Sequence, residues 1–189
     1  IVPKVVSTSK FVITVSNFEK EVIINKLKVP PEKVKVVHNA ASAKFNNNYA
    51  PEEIEHFRKS YHLPANFILF LGNTAPKKNT KNVIASYLRY CRWVDHKVPL
   101  VILDYDKALV EEQLSKSGAT DLLEHFLFPG FVPSDQMPLM YNAADLFLYP
   151  SLRESFGLPI LEAMGCGTPV ITSNTSSMPE VGGNAAVYV

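Results

Sequence analysis

The sequence predicts a doubly wound α/β fold, a parallel sheet with helices packed on both faces. Two observations carry this. Strand and helix signals alternate along almost the whole chain. The strand segments, FILFL at 67–71 and LVIL at 100–103 among them, are unbroken apolar runs rather than the alternating pattern of a half-solvated sheet. Sheets of this kind bind ligands at the carboxyl ends of their strands. Three loops leave those ends, at 72–79, 129–135 and 150–157.

The elements follow in order. Phe11–Val15 is a short strand rich in β-branched residues. Ser16 or Asn17 can cap the next helix, with Glu19 placed three residues after Ser16 as in a capping box. That helix runs to about Leu27, before Pro30-Pro31, and Val34–Val37 is the next strand. The polar, Asn-rich stretch HNAASAKFNNNYA has no periodicity and reads as a linker, so residues 1–44 and 45–189 are expected to be separate units. Pro51 opens a polar helix that Pro64 stops. After strand 67–71 a helix is expected from Thr80 to Val94, then strand 100–103, then a helix near Lys107–Ser117 closed by Gly118. Phe126–Phe128 and Asp145–Tyr149 read as strands on either side of a helix at Gln136–Asn142. The next helix has Pro159 near its first turn and Gly165 and Gly167 at its end, and Val170–Ile171 and Ala186–Val189 are the last strands.

Composition excludes several classes. Hydrophobic residues make up 47% and charged residues 20%, ordinary for a globular protein. A net charge of +1 supplies no global field for nucleic acid or an anionic membrane, and no apolar run is long enough for a transmembrane segment. Cys91 and Cys166 sit in apolar helical contexts and are expected to be buried, reduced thiols of a cytoplasmic protein. The histidines fit no zinc spacing, and no metal site is expected. The chain opens on Ile1 rather than Met and stops at Val189 directly after a strand-like run, so it is expected to be a piece of a longer protein.

Chemistry concentrates in residues 151–169, SLRESFGLPILEAMGCGTP. Glu154 and Glu162 flank a turn, Ser155-Phe156-Gly157, that opens a helix. A helix opening on such a turn offers free N–H groups and the positive end of its dipole to an anion. Two carboxylates beside an anion site make sense as acceptors for hydroxyl groups, and a ligand with both phosphates and hydroxyls is a sugar nucleotide. Leu158, Ile160, Leu161, Ala163 and Met164 surround Glu162, and a carboxylate buried among them needs a partner. In the bland alternative both acids are solvated.

The other two loops carry weaker signals. In Gly72-Asn73-Thr74-Ala75-Pro76-Lys77-Lys78-Asn79, the glycine allows close backbone approach. Lys77 and Lys78 oppose the dipole of the following helix by about 0.3–1 kcal/mol unless an anion sits there. They are either a diphosphate clamp or a solvated pair. The GK[ST] ending of a Walker A loop is missing. In Pro129–Asp135, backbone groups of Val132 could read a base edge, but a plain turn with Ser134 capping the next helix is the commoner meaning. No G-x-S-x-G elbow and no G-x-G-x-x-G after a strand is present.

The run YPSLRESFGLPILEAMGCGTPVITSN, followed by SSMPEVGGNAAVYV, closely resembles the carboxyl-terminal, Rossmann-like donor-binding domain of retaining GT-B glycosyltransferases of the glycogen synthase-like, mannosyltransferase-rich group. FILFLGNTAPKKN and FPGFVPSDQMPLMYNAADLFLYPS extend the likeness. FVITVSNFEKEVI through VKVVHNAAS looks like the last strand–helix–strand of that family's amino-terminal domain and its linker. The family's Glu–seven residues–Glu motif falls on Glu154 and Glu162.

The resemblance implies roles. Glu154 would meet the donor sugar's hydroxyls near the reaction centre. Phe156, Gly157 and Leu158 would offer backbone groups to sugar and phosphate, and Glu162 would bind the ribose hydroxyls. Lys78 would neutralise the leaving diphosphate, helped by Lys77 and by the loop of Gly72 and Asn73, and Val132 would lie by the base. Asn73 stands where many relatives carry Arg, which removes one charge from the phosphate grip. The implied reaction moves a hexose, mannose or glucose, from a GDP- or UDP-linked donor to a saccharide or lipid-linked acceptor held by the amino-terminal domain. No cofactor, metal or nucleic acid is implied. The setting is cytoplasmic, with peripheral attachment to the inner face of the membrane left open. Alternatives are a non-catalytic nucleotide-sugar binding module and a GT-B epimerase or phosphorylase relative.

Overall fold

Solid apolar strands need cover on both faces, and the fold supplies it. The computed structural model describes residues 2–189. In chain order the elements are α1 (Val2–Thr8), β1 (Val12–Thr14), α2 (Asn17–Leu27), β2 (Val34–Val36), α3 (Pro51–Ser60), β3 (Ile68–Leu71), α4 (Thr80–Trp93), β4 (Leu100–Leu103), α5 (Lys107–Lys116), β5 (Phe126–Leu127), α6 (Met137–Ala143), β6 (Leu146–Tyr149), α7 (Leu158–Gly165), β7 (Val170–Thr172), α8 (Met178–Gly182) and β8 (Val187–Tyr188). Strands β3 to β8 form a six-stranded sheet in the order β5-β4-β3-β6-β7-β8, with every pairing parallel. Successive side chains alternate between its faces. Leu69, Val101, Phe147, Tyr149 and Val170 pack with residues of α3, α6, α7 and α8, while Phe70, Leu100 and Ile102 pack with α4 and α5. The expected doubly wound fold is therefore present, and Cys91 and Cys166 are buried thiols within it.

The chain reverses its direction across the sheet between β3 and β6, since β3 pairs with β4 on one side and β6 on the other. The loops that follow these two strands emerge side by side at that switch point. Leu152 N–H donates to Lys77 O at 2.7 Å, and Asn79 Nδ2 donates to Pro150 O at 3.1 Å.

A separate two-stranded parallel sheet, β1 with β2, carries α2 between its strands. Ile13 on it is 71% exposed, and Phe11 and Val37 beside it are also exposed. Residues 38–50 form no helix or strand. They are nonetheless laid against the larger sheet by individual contacts. Asn142 Nδ2 donates to Asn46 O at 2.8 Å, Lys44 Nζ to Ser134 O at 2.8 Å, and the Phe45 ring meets Tyr141 edge-on. Gly165 makes this approach possible, since a Cβ there would lie 2.7 Å from Phe45 O.

Several local expectations change. Ser16 does cap α2, accepting from Glu19 N–H at 3.1 Å, but the Glu19 carboxylate turns away from the capping box to accept from Arg153 Nη2 at 2.7 Å. Ser134 caps nothing: α6 starts at Met137 behind Gln136, with no side-chain cap. α3 stops at Ser60, and the chain turns through His62 at φ 51° before Pro64 is reached. α1 and α8 had no counterpart in the sequence reading, nor did the 3₁₀ turns at Pro31–Lys33, Pro76–Lys78 and Thr120–His125.

Candidate functional site

The loop after β3 is built by its own backbone. Asn73 Oδ1 accepts from Ala75 N–H at 2.8 Å, an Asx turn, and Pro76 then opens the 3₁₀ turn that Asn79 ends at φ 62°. This short turn aims Lys78 inward instead of along the axis of α4. Its Nζ donates to Tyr149 Oη at 2.9 Å and lies 2.9 Å from Glu154 Oε1, with only 17% of the side chain exposed. Lys77 Nζ reaches Glu154 Oε2 at 3.3 Å from a side chain that is 52% exposed. The anion that the lysine pair required is thus, in this structure, Glu154. The Lys78 ammonium and the Glu154 carboxylate form a close ion pair.

The Glu154 carboxyl is 12% exposed. Burial alone would raise its pKa. The hydrogen-bonding and charge of Lys78, followed by the charge of Lys77, outweigh burial and hold it below the usual carboxylate range. Tyr149 is buried at the end of β6, and its hydroxyl is pushed up by burial and by the neighbouring Glu154, with a smaller push from Glu162.

Glu162 stands in a different chamber, a cleft of about 610 Å³ shared with Val132, Leu158, Lys44 and Phe45. The start of α7 places it there. Gly157 at φ 101° turns the chain into the helix, a conformation that suits glycine. Tyr141 Oη donates to Glu162 Oε2 at 3.2 Å. Burial raises the Glu162 pKa, with Tyr141 and the charge of Lys44 opposing it. The folded state thus holds the proton more tightly than the unfolded chain. The stability this gives is complete below the ordinary glutamate value of about 4.3, and it is lost as pH rises through the folded value. At neutral pH the buried carboxylate burdens the fold. Glu162→Gln is expected to raise the unfolding midpoint at neutral pH, with roughly 2–4 °C for each kcal/mol gained. The gain over wild type should shrink in mildly acid buffer. Scanning both proteins by calorimetry at the two pH values checks this, and a variant that melts lower at neutral pH would contradict it.

Six of the sequence-derived candidates fall into two groups. Lys77, Lys78 and Glu154 meet at the switch point, and Val132, Leu158 and Glu162 share the cleft. Phe156 is buried, and its carbonyl lies 2.7 Å from Ser177 Oγ. The close approach permitted by Gly72 is to Ile102, Phe70 and Tyr105, each 3.2 Å from where its Cβ would be. Asn73 spends its side-chain oxygen on the Asx turn and faces a smaller pocket with Tyr105 and Leu152. Sequence reasoning missed Tyr149, Tyr141 and Lys44, whose roles depend on partners distant in the chain. It also missed Ser176 and Ser177, although Ser177, Pro179 and Gly183 are ordinary boundary signals for a short helix. Among the described residues no group of three His, Cys, Asp or Glu side chains could hold a metal, and no helix is long and apolar enough to cross a membrane.

A doubly wound domain with charged loops converging on its switch point and a cleft beside them is a nucleotide-binding architecture by position. Residues 52–187 match the family described as glycosyl transferases group 1, and the chain belongs to that family. The O-antigen chain mannosyltransferase B of Escherichia coli is 34% identical over 185 residues, covering 95% of this chain and 47% of that relative. The chain therefore spans about half the length of the relative. Among solved structures, a glycosyltransferase from Rickettsia africae superposes with a TM-score of 0.80 at 23% identity, covering 95% of this chain and 49% of the other. Anabaena HepE in complex with UDP-glucose superposes at 0.76 and 23% identity, covering 96% and 50%. Both likenesses establish the shared fold.

Proposed function

We propose that this chain is the donor-binding part of a retaining glycosyltransferase that moves a hexose, mannose or glucose, from a nucleotide diphosphate sugar to a saccharide or lipid-linked acceptor. The observation that carries the reading is the half-buried Lys78–Glu154 pair at the β3/β6 switch point, beside the cleft that holds Glu162. In this reading the nucleoside occupies the cleft, with Val132 along the base and Glu162 accepting from the ribose. The diphosphate lies toward Lys78, Lys77 and the N–H groups of Gly157 and Leu158 at the start of α7. Glu154, kept ionised by the lysines, accepts from the sugar's hydroxyls. Charge growing on the departing diphosphate meets a cation already fixed in place, which is how a preorganised site lowers a barrier. The lysines and N–H groups supply that charge from the chain itself, so no resident metal or other cofactor enters the proposal.

The mannosyltransferase relative and the UDP-glucose complex of HepE support a hexose donor. The exposed apolar face of the β1–β2 sheet supports assigning residues 1–44 to the end of an amino-terminal domain, where the acceptor would bind. The free thiols of Cys91 and Cys166 go with a cytoplasmic setting. The test is a thermal-shift panel of UDP-, GDP- and ADP-sugars on the chain itself. One of them is expected to raise the midpoint, because a ligand that binds only the folded state at a hundred times its Kd adds about 2.7 kcal/mol. The same sample should transfer no sugar without the remaining domain. A flat response to every sugar nucleotide at millimolar concentration would sink the proposal.

A further inference from the structure

The loop from Glu154 to Phe156 is held almost entirely by serines. Ser176 Oγ donates to Glu154 O at 2.5 Å and accepts from Glu154 N–H at 3.0 Å. Ser177 Oγ lies 2.9 Å from Glu154 O and 2.7 Å from Phe156 O. Ser16 Oγ donates to Ser155 O at 2.6 Å. Three successive carbonyls of the loop thus meet hydroxyls from two directions. Ser176 and Ser177 come from the lead into α8, and Ser16 comes from the cap of α2, far away in the sequence. Arg153 adds a second tie to α2, through Glu19 at 2.7 Å. A loop gripped in this way keeps its shape only while α8 and the start of α2 stay in register.

One side chain fixes that register. Glu180, on α8, turns its carboxylate onto the start of α2. Asn17 N–H donates to both of its oxygens at 2.9 Å, Phe18 N–H to Oε2 at 3.3 Å, and Asn17 Nδ2 to Oε1 at 2.7 Å. His38 Nε2 is 2.6 Å from the same Oε1, and its ring lies 5.9 Å from that of Phe156. The side chain is 20% exposed. Ser16 serves the third N–H of α2, and Glu180 serves the first two from another part of the chain. What the carboxylate adds is a tie between α8 and two segments, α2 and the start of the linker, that otherwise touch the loop independently.

We propose that Glu180 is a positioning residue for sugar transfer, a bracket that joins Asn17, Phe18 and His38 to α8 so that the Glu154 loop is clamped from both sides. The inference rests on the donor site proposed above. It predicts a split. The cleft lined by Glu162 and Val132 takes no lining from Asn17, Phe18, His38 or Glu180, so nucleotide affinity should survive the bracket's loss, while the geometry of Glu154 against the sugar should not.

The test compares Glu180→Ala, Glu180→Gln and Ser16→Gly with wild type. Glycine still tolerates the cap position, so Ser16→Gly breaks the tie to Ser155 without removing the start of α2, and it serves if the Glu180 variants fold poorly. Amide hydrogen exchange needs no ligand. Residues 152–157 are expected to exchange at least about tenfold faster in Glu180→Ala and in Ser16→Gly, with Glu180→Gln between them and wild type. In the full-length protein, kcat should fall at least about tenfold in Glu180→Ala while the Kd for the nucleoside diphosphate stays within about twofold, and Glu180→Gln should recover part of the loss. Unchanged exchange at 152–157 in both Glu180→Ala and Ser16→Gly overturns the bracket. So does a Glu180→Ala protein whose kcat per folded molecule equals wild type, or whose kcat and nucleotide affinity fall by the same factor. If wild type binds no sugar nucleotide, the donor-site reading fails, and the exchange result still decides whether Glu180 clamps the loop.

Discussion

Replacing Lys78 by Ala in the full-length protein is expected to slow sugar transfer by about a hundred- to a thousandfold, the usual effect of deleting one preorganised group that meets developing charge. The size follows from how firmly the ammonium is held. A surface lysine spreads over many rotamers. Lys78 is confined between Tyr149 Oη and Glu154 Oε1, each at 2.9 Å, and packs over the Tyr149 ring at 4.7 Å from its centroid. Lys77, at 52% exposure and 3.3 Å from Glu154, cannot substitute with the same precision.

The same variant should lose stability for a separate reason. The lysines hold the Glu154 pKa below the usual carboxylate range, so their contribution is present above the unfolded-state value and disappears as pH falls through the folded value. Without Lys78 a carboxylate only 12% exposed keeps one exposed partner. Breaking a buried pair from one side costs about 3–5 kcal/mol, and the remaining Lys77 should keep the loss at or below the lower end. Adding Glu154→Gln to Lys78→Ala removes the orphaned charge. The double variant should recover its melting point and remain slow. Measuring kcat and the unfolding midpoint of all three proteins separates the two effects. A Lys78→Ala enzyme that transfers sugar at close to the wild-type rate would remove Lys78 from the reaction.

The sequence disclosed what is local and hid what is relational. β3 and β4 were legible because a strand buried on both faces must be apolar throughout, and α4 because its buried positions Val83, Ile84, Tyr87, Leu88 and Cys91 fall on one helical face. The turn before α7 was legible because Gly157 and Pro159 are strong punctuation. Neither the partner of Lys78 nor that of Glu180 could be read. The first depends on β3 and β6 being neighbours, and Asn17 lies 163 positions from Glu180. The capping-box position of Glu19 was a sound local inference overridden by a tertiary one, since Arg153 offers a cation where the Asn17 end of the helix is already served by Glu180. α1 escaped notice because its Val-rich sequence is a poor helix former. The linker lacks a pattern because it is anchored residue by residue, through Lys44, Phe45 and Asn46, and forms one wall of the cleft.

Glu162→Ala is expected to weaken binding of the nucleoside diphosphate by about tenfold to a hundredfold, the equivalent of 1.5–3 kcal/mol for a hydrogen bond to a charged group. Among the described residues Glu162 accepts only from the Tyr141 hydroxyl, at a long 3.2 Å, and burial has already raised its pKa. It is therefore an acceptor with capacity to spare, and a ribose brings two donors. Binding should draw its pKa down, so affinity for the ribonucleotide should weaken as pH falls through the folded-state value. The decisive comparison uses the ligand as the second mutation. If Glu162 reads the ribose, Glu162→Ala should cost a deoxyribose analogue little, and removing the hydroxyls should cost the Ala variant little, because each change deletes the same contact. Titration calorimetry of both proteins with both ligands supplies the four values. Equal losses on the two ligands would mean that Glu162 serves the Tyr141 side of the cleft, and the ribose would need another partner. Lys44, on the linker wall of the same cleft, is a donor and cannot accept a hydroxyl proton. Among the charged side chains that line the cleft, Asp104 is the other acceptor, and it would become the position to test.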